Sequence, residues 1–165
     1  MVVTALNSGM RNGEVLSLKW KNIDLKHGFI LLDTTKNGER REIPINSTLM
    51  SVFQRVQRRL DVPYVFFDNA GNPYKDVRKS FDTACRKAGI KDFHFHDLRH
   101  TFASHLVMAG VDLVAVKELL GHKTLTMTLR YAHLAPSHKV KAVDTLDKSM
   151  NPESTIQKLY NREEK

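Results

Sequence analysis

The sequence predicts an α+β fold, mostly helical, with one small antiparallel sheet of about three strands. Two observations carry this. Runs rich in β-branched residues flank Asn37-Gly38, the strongest short hairpin signal. From about residue 76 onward, apolar residues recur at helical spacing between glycine stops.

In chain order, residues 1–7 read as the end of a helix broken at Ser8-Gly9. Asn12 is expected to cap a second short helix, NGEVLSLKW, with Glu14 in the first turn, where a carboxylate favours the helix dipole. GFILLD (28–33) and REIPI (41–45) read as two strands, joined through TTKNGE. A basic amphipathic helix is expected from about Ser47 to Leu60, then a third strand in YVFFD (64–68) and a turn at Asn69–Pro73. Helices are expected at about 76–88, 97–109, 112–120 and 124–132, with Gly110 and Gly121 as C-terminal stops. Pro136 opens a last helix to about Leu146. Residues 1–148 are expected to form one domain and 149–165 a polar tail.

The 165 residues, 41% hydrophobic, suffice for the core of one ordinary domain. Twenty-six Lys and Arg against 18 acids give a net charge of +8, which favours a polyanionic partner, most simply nucleic acid. The single cysteine, Cys85, excludes an internal disulfide and a thiolate-rich metal site, and fits a reducing cytoplasm. No apolar run approaches membrane-spanning length, and MVVTALNSGM lacks the basic region of a signal peptide. The sequence opens inside an apolar stretch without a cap in front, so it is expected to be a piece of something larger.

The stretch FHFHDLRHTFASH (93–105) gathers four histidines around Arg99. On a helix, Leu98, Phe102 and Leu106 share one arc and Arg99 borders it. A permanent cation there is costly unless an anion meets it. His96 and His100 have the i, i+4 spacing of a zinc helix, but the glutamate of HExxH is missing and Arg99 would repel a divalent ion. The alternative is an Arg99 paired with a core carboxylate among ordinary polar histidines.

Three more stretches join this one: SGMRNGEVLSLKW, with Arg11 on a glycine-punctuated turn; TTKNGERREIPI, with Lys36 before the hairpin turn; and LLGHKTLTMTLRYAHL, with His122 past a helix stop and Tyr131 nine residues on. Together with HDLRH, these resemble the catalytic domain of tyrosine recombinases, the phage integrase family. The resemblance runs in order from about Thr4 to Leu134. It implies that Arg11 and Arg99 clamp the scissile phosphate and that Lys36, His96 and His122 complete the catalytic set. It makes Tyr131 the nucleophile, with Glu14 and His100 in supporting positions. It also implies no cofactor and no metal. On this resemblance, the family's preceding DNA-binding domain and most of the catalytic domain's first helix are expected to lie outside this sequence.

The chemistry suits these residue types. Two guanidiniums can bind the non-bridging oxygens of a phosphodiester by paired hydrogen bonds as charge develops there. The Tyr131 phenol must lose its proton during attack, and His96 is the candidate base. The family resemblance then implies a covalent 3′-phosphotyrosine and a 5′-hydroxyl, with Lys36 protonating the leaving oxygen. His122 would bond a non-bridging oxygen. Arg55, Arg58, Arg59 and Lys79 are expected to hold the DNA backbone.

Double-stranded DNA is the expected partner. The resemblance implies homo-oligomers on it, up to a tetrameric synapse, with the isolated domain able to stand as a monomer. Val140, Val143 and Leu146 form a narrow apolar stripe, and Ile156, Leu159 and Tyr160 another. Each needs a surface to cover, either this domain's core or a neighbouring subunit. Two other functions share the fold: relaxation of DNA by a type IB topoisomerase, and DNA binding without catalysis.

Overall fold

The structure, a computed structural model, describes residues 1–32, 40–136 and 139–150. Lys36, Asn37-Gly38 and the second apolar stripe lie outside the described residues. The elements are α1 (Val2–Ser8), α2 (Asn12–Leu16), a 3₁₀ turn (Trp20–Asn22), β1 (Ile23–Asp24), β2 (Phe29–Leu32), β3 (Arg41–Pro44), α3 (Ser47–Arg55), α4 (Arg78–Lys87), α5 (Asp97–Met108), α6 (Leu113–Leu120), α7 (Thr126–Leu129), a second 3₁₀ turn (Ala132–Leu134) and α8 (Lys139–Met150). The class is α+β, with one antiparallel sheet in the order β1-β2-β3. Ile23 pairs with Ile30 and Ile30 with Ile43, and this register puts Ile30 and Ile43 on the buried face.

Local chemistry sets the boundaries. Gly9 ends α1 at φ 61°, with its N–H on the Ala5 carbonyl. A Cβ there would lie 2.5 Å from the Phe102 ring, so glycine is required both by backbone conformation and by α5's close approach. The Asn46 side chain caps α3 by accepting from Leu49 N–H. Asp112 does the same for α6 through the N–H groups of Val114 and Ala115.

Several boundaries depart from expectation: α2 ends at Leu16, short of Trp20, and the helix expected at 124–132 is only Thr126–Leu129. The cap of α2 is Arg11, with Asn12 already helical; Glu14 reaches back to take the Arg11 N–H at 2.7 Å. The third strand is Ile23–Asp24. Residues 64–68 make only isolated bridges, Lys19 to Tyr64 and Phe67 to Pro73, because Val65 and Phe66 are consecutive and both buried, which a half-buried edge strand does not allow. Helix α3 stops at Arg55, since Gln57–Arg59 offer no apolar face, and Leu60 is 99% exposed. At the other end, α8 runs through Ser149 to Met150, past the expected stop at Leu146.

The core has two parts. One joins α1–α4 and the sheet through Met10, Leu18, Ile30, Ile43, Leu49, Phe53 and Phe81. The other packs Ala103, Val107, Val116, Leu120 and Tyr131. Helix α5 belongs to both, giving Leu98 to the first and Ala103 and Val107 to the second. The carboxyl end of α8 contributes to neither, with Val143, Leu146 and Met150 exposed at 66%, 57% and 73%. Removing residues 136–165 is therefore expected to leave the thermal unfolding midpoint within a few degrees of the intact chain, as read by circular dichroism; collapse or precipitation of the shortened chain would show that the segment packs in cis.

Candidate active site

Helix ends converge on three guanidiniums. Arg99, 4% exposed, donates from Nη1 to the Gly9 carbonyl at 2.5 Å and from Nη2 to the Leu120 carbonyl at 2.6 Å. Arg41, 6% exposed, donates from Nη1 to the same Leu120 carbonyl at 2.6 Å. Arg11 donates from Nη2 to the Gly121 carbonyl at 3.1 Å. Gly9 caps α1, and Leu120 and Gly121 end α6, so unpaired helix-terminal carbonyls, which carry the negative end of the helix dipole, hold the cations.

Among the described residues, one carboxylate serves the group. Glu14 Oε1 accepts from Arg11 Nη1 at 3.0 Å, and Oε2 accepts from Arg41 Nη2 at 2.6 Å. Burial pushes the Glu14 carboxyl up, but Arg41, the Arg11 N–H and the Arg11 charge together hold it below the ordinary value. Burial, then Arg11 and Arg41, push Arg99 down to about 10. Among the described residues, three guanidiniums against one carboxylate leave positive charge unbalanced, and Arg11 keeps 40% of its side chain exposed. Each guanidinium has five donors and spends two on the bonds above; among the described residues the Nε of Arg41 is buried without a partner.

In front of the guanidiniums lies a cleft of about 520 Å³ lined by Arg11, His96, Arg99, His100, His122, Thr126, Met127, Arg130 and Tyr131. His122 Nδ1 is 2.9 Å from the Thr128 hydroxyl, which leaves Nε2 for a ligand. Burial, then Arg99 and Arg11, push His122 down to about 4. Tyr131 is 5% exposed, with its oxygen 2.6 Å from His100 Nδ1. Burial raises the phenol above its ordinary value, against the opposing pull of Arg130 and Arg99. His96 caps α5 and meets the His100 ring edge to face, centroids 5.0 Å apart.

Of the residues expected from sequence, Arg11, His96, Arg99, His122, Tyr131 and the supporting His100 line this one cleft, and Glu14 braces it from behind. The backbone-binding candidates lie elsewhere. Arg58 stacks on Trp20 and Arg59 on Phe67, and Arg59 is paired with Asp61 at 2.5 Å. Arg55 and Lys79 are exposed.

Three contributors were not anticipated. Arg41 shares the inward face of β3 with Ile43, and a charge at an inward position of an alternating strand is a readable sign of a buried partner. Thr128 is fully buried beneath His122. Arg130 lines the cleft next to Tyr131.

Three comparisons place the chain among known proteins. The phage integrase family profile matches residues 1–138. An integrase of Salmonella phage P22 is 31% identical over 161 residues, covering 89% of this chain and 42% of the relative. The catalytic domain of bacteriophage HP1 integrase superposes with a TM-score of 0.67 at 35% identity, over 87% of this chain and 79% of that one. The Tn1549 transposon integrase, in complex with circular intermediate DNA, superposes with a TM-score of 0.71 at 28% identity, over 86% of this chain and 55% of that one. The chain spans between 35% and 52% of the length of the first curated relatives it matches.

Glu14→Gln removes the carboxylate while keeping its shape, and is expected to cost roughly 3–5 kcal/mol by stranding buried cations. Denaturant unfolding in the presence of sulfate should recover part of this, because the anion replaces the missing charge. His122 is neutral in the folded chain at pH values where an unfolded histidine, near 6.5, is charged. The unfolded state therefore binds more protons, and the stability His122 contributes above pH ~6.5 is lost as pH falls toward 4. His122→Asn should flatten that part of the melting temperature profile.

Proposed function

The chain belongs to the phage integrase family, and on that premise we propose that it is the catalytic domain of a site-specific tyrosine recombinase that breaks and rejoins duplex DNA. The observation that carries this is the Tyr131 hydroxyl on the same cleft as Arg11, Arg99 and His122. In this reading a DNA phosphate supplies the anion that the guanidinium group lacks. Arg11 and Arg99 bind its non-bridging oxygens through their unused donors, and His122 Nε2 adds another contact. The Tyr131 oxygen attacks phosphorus to give a covalent 3′-phosphotyrosine, and a 5′-hydroxyl from another strand reseals the break.

Lys36 is proposed as the acid that protonates the leaving 5′ oxygen. In the sequence it stands directly before Asn37-Gly38, between β2 and β3. The covalent bond conserves the energy of the phosphodiester, so the chemistry asks for no nucleotide cofactor. The net charge of +8 supports a polyanionic partner, and the DNA complex of the Tn1549 integrase, a structural neighbour, supports duplex DNA. Arg55, Arg58 and Lys79 are proposed backbone contacts; Arg59, already paired with Asp61, is the weakest of the four. Assembly into an oligomer on DNA would give the exposed stripe of α8 a neighbouring subunit to cover.

Tyr131→Phe is expected to abolish covalent attachment to a nicked suicide duplex while leaving duplex binding nearly unchanged. Arg99→Lys should lose about 10²-fold or more in cleavage rate, the scale of removing a preorganised charge stabiliser. Lysine cannot reproduce a fork that grips Gly9, Leu120 and phosphate together. An adduct in Tyr131→Phe would move the nucleophile elsewhere; full activity in Arg99→Lys would remove the clamp.

A further inference from the structure

Resting on the reading of Tyr131 as nucleophile, we propose that His100 is a catalytic residue, the group that takes the phenol proton during attack. The hydrogen bond between His100 Nδ1 and the Tyr131 oxygen is 2.6 Å long, with the two rings tilted by 48°. His96, to which the family resemblance gives this task, stands one helical turn earlier with its ring against that of His100. Proton transfer needs hydrogen-bond reach to the proton that moves; His100 has it before any substrate arrives.

The step balances. As the Tyr131 oxygen bonds to phosphorus, its O–H bond breaks and the proton bonds to Nδ1 of a neutral His100. The bond from phosphorus to the 5′ oxygen breaks, and that oxygen takes a proton from a separate acid, the part proposed for Lys36. In resealing, the incoming 5′-hydroxyl returns its proton to that acid, and His100 gives the Nδ1 proton back to the departing phenolate.

The surroundings favour a neutral imidazole before attack. His96, Asp97 and Arg99 face His100 from its own helix, Arg130 and Tyr131 from the segment at the end of α7, and Arg11 and His122 line the same cleft. Only Asp97 among these favours the charged ring. Burial, then His96 and Arg130, hold His100 below the ordinary histidine value. The proposal also fixes the tautomer: hydrogen on Nε2 and a bare Nδ1 that accepts from the phenol.

Nitrogen-15 NMR of the whole chain at neutral pH reads that tautomer directly, with His100→Asn assigning the resonance. A bare Nδ1 is expected; a protonated Nδ1, donating to the phenol, overturns the proposal. The second readout is adduct formation on a nicked suicide duplex. Asparagine can keep the hydrogen bond but cannot carry the proton, so His100→Asn should lose about 10²–10⁴-fold near pH 7. The deficit should narrow as pH rises toward ionisation of the phenol, because a phenolate needs no base. A deficit constant with pH, a wild-type rate, or a narrowing deficit found in His96→Asn instead would each sink the assignment to His100. An adduct that forms in Tyr131→Phe would sink the nucleophile reading itself, so the two failures are distinguishable.

Discussion

Among the described residues, Glu14 is the one carboxylate shared by Arg11 and Arg41, with Arg99 held beside them on the Leu120 carbonyl. Taking a guanidinium out of water costs several kcal/mol. The fold offsets part of that cost with carbonyls it must leave unpaired anyway, at the ends of α1 and α6. Helix α6 has to end where Leu120 faces both Arg41 and Arg99. Gly121 meets that demand: its φ of 62° turns the chain, and a Cβ there would lie 2.5 Å from Arg41 Nη1. Strand β3, α5 and the first turns of the chain are thereby tied to one point.

This arrangement gives a rigid site its positive bias. Arg99 is locked by two carbonyls and Arg41 by a carbonyl and a carboxylate, so neither needs to reorganise when an anion enters. Preorganised donors of this kind supply much of the stabilisation of developing charge in phosphoryl chemistry. Tyr131 completes the cleft as a member of the second core, packed with Val107, Val116 and Leu120. The hydroxyl is positioned by the same packing that positions the carbonyl under the guanidiniums.

What the sequence revealed followed from chemistry local to a few residues. Asn37-Gly38 between two β-branched runs was enough for the antiparallel pair of β2 and β3. Gly9 and Gly121 marked helix ends because positive φ is written into glycine. The position of Arg99 at the border of an apolar arc foretold its burial. The short strand β1 was missed because two residues carry no periodicity. Arg11 was not read as a cap because its partner is the side chain of Glu14 reaching back to its backbone. The bond between Tyr131 and His100 joins residues 31 positions apart. It depends on how the segment after α7 lies on α5, which no local pattern encodes.

In the proposed function, a DNA phosphate delivered to Tyr131 completes the unbalanced charge of Arg11, Arg41 and Arg99. A crystal structure of the Tyr131→Phe chain with a nicked duplex tests it most directly. One phosphate is expected in the cleft, its non-bridging oxygens within about 3 Å of donors on Arg11, Arg99 and His122, with phosphorus in front of the residue-131 ring. A duplex bound elsewhere on the surface, with the guanidiniums still held only by Glu14 and the helix-end carbonyls, would contradict it.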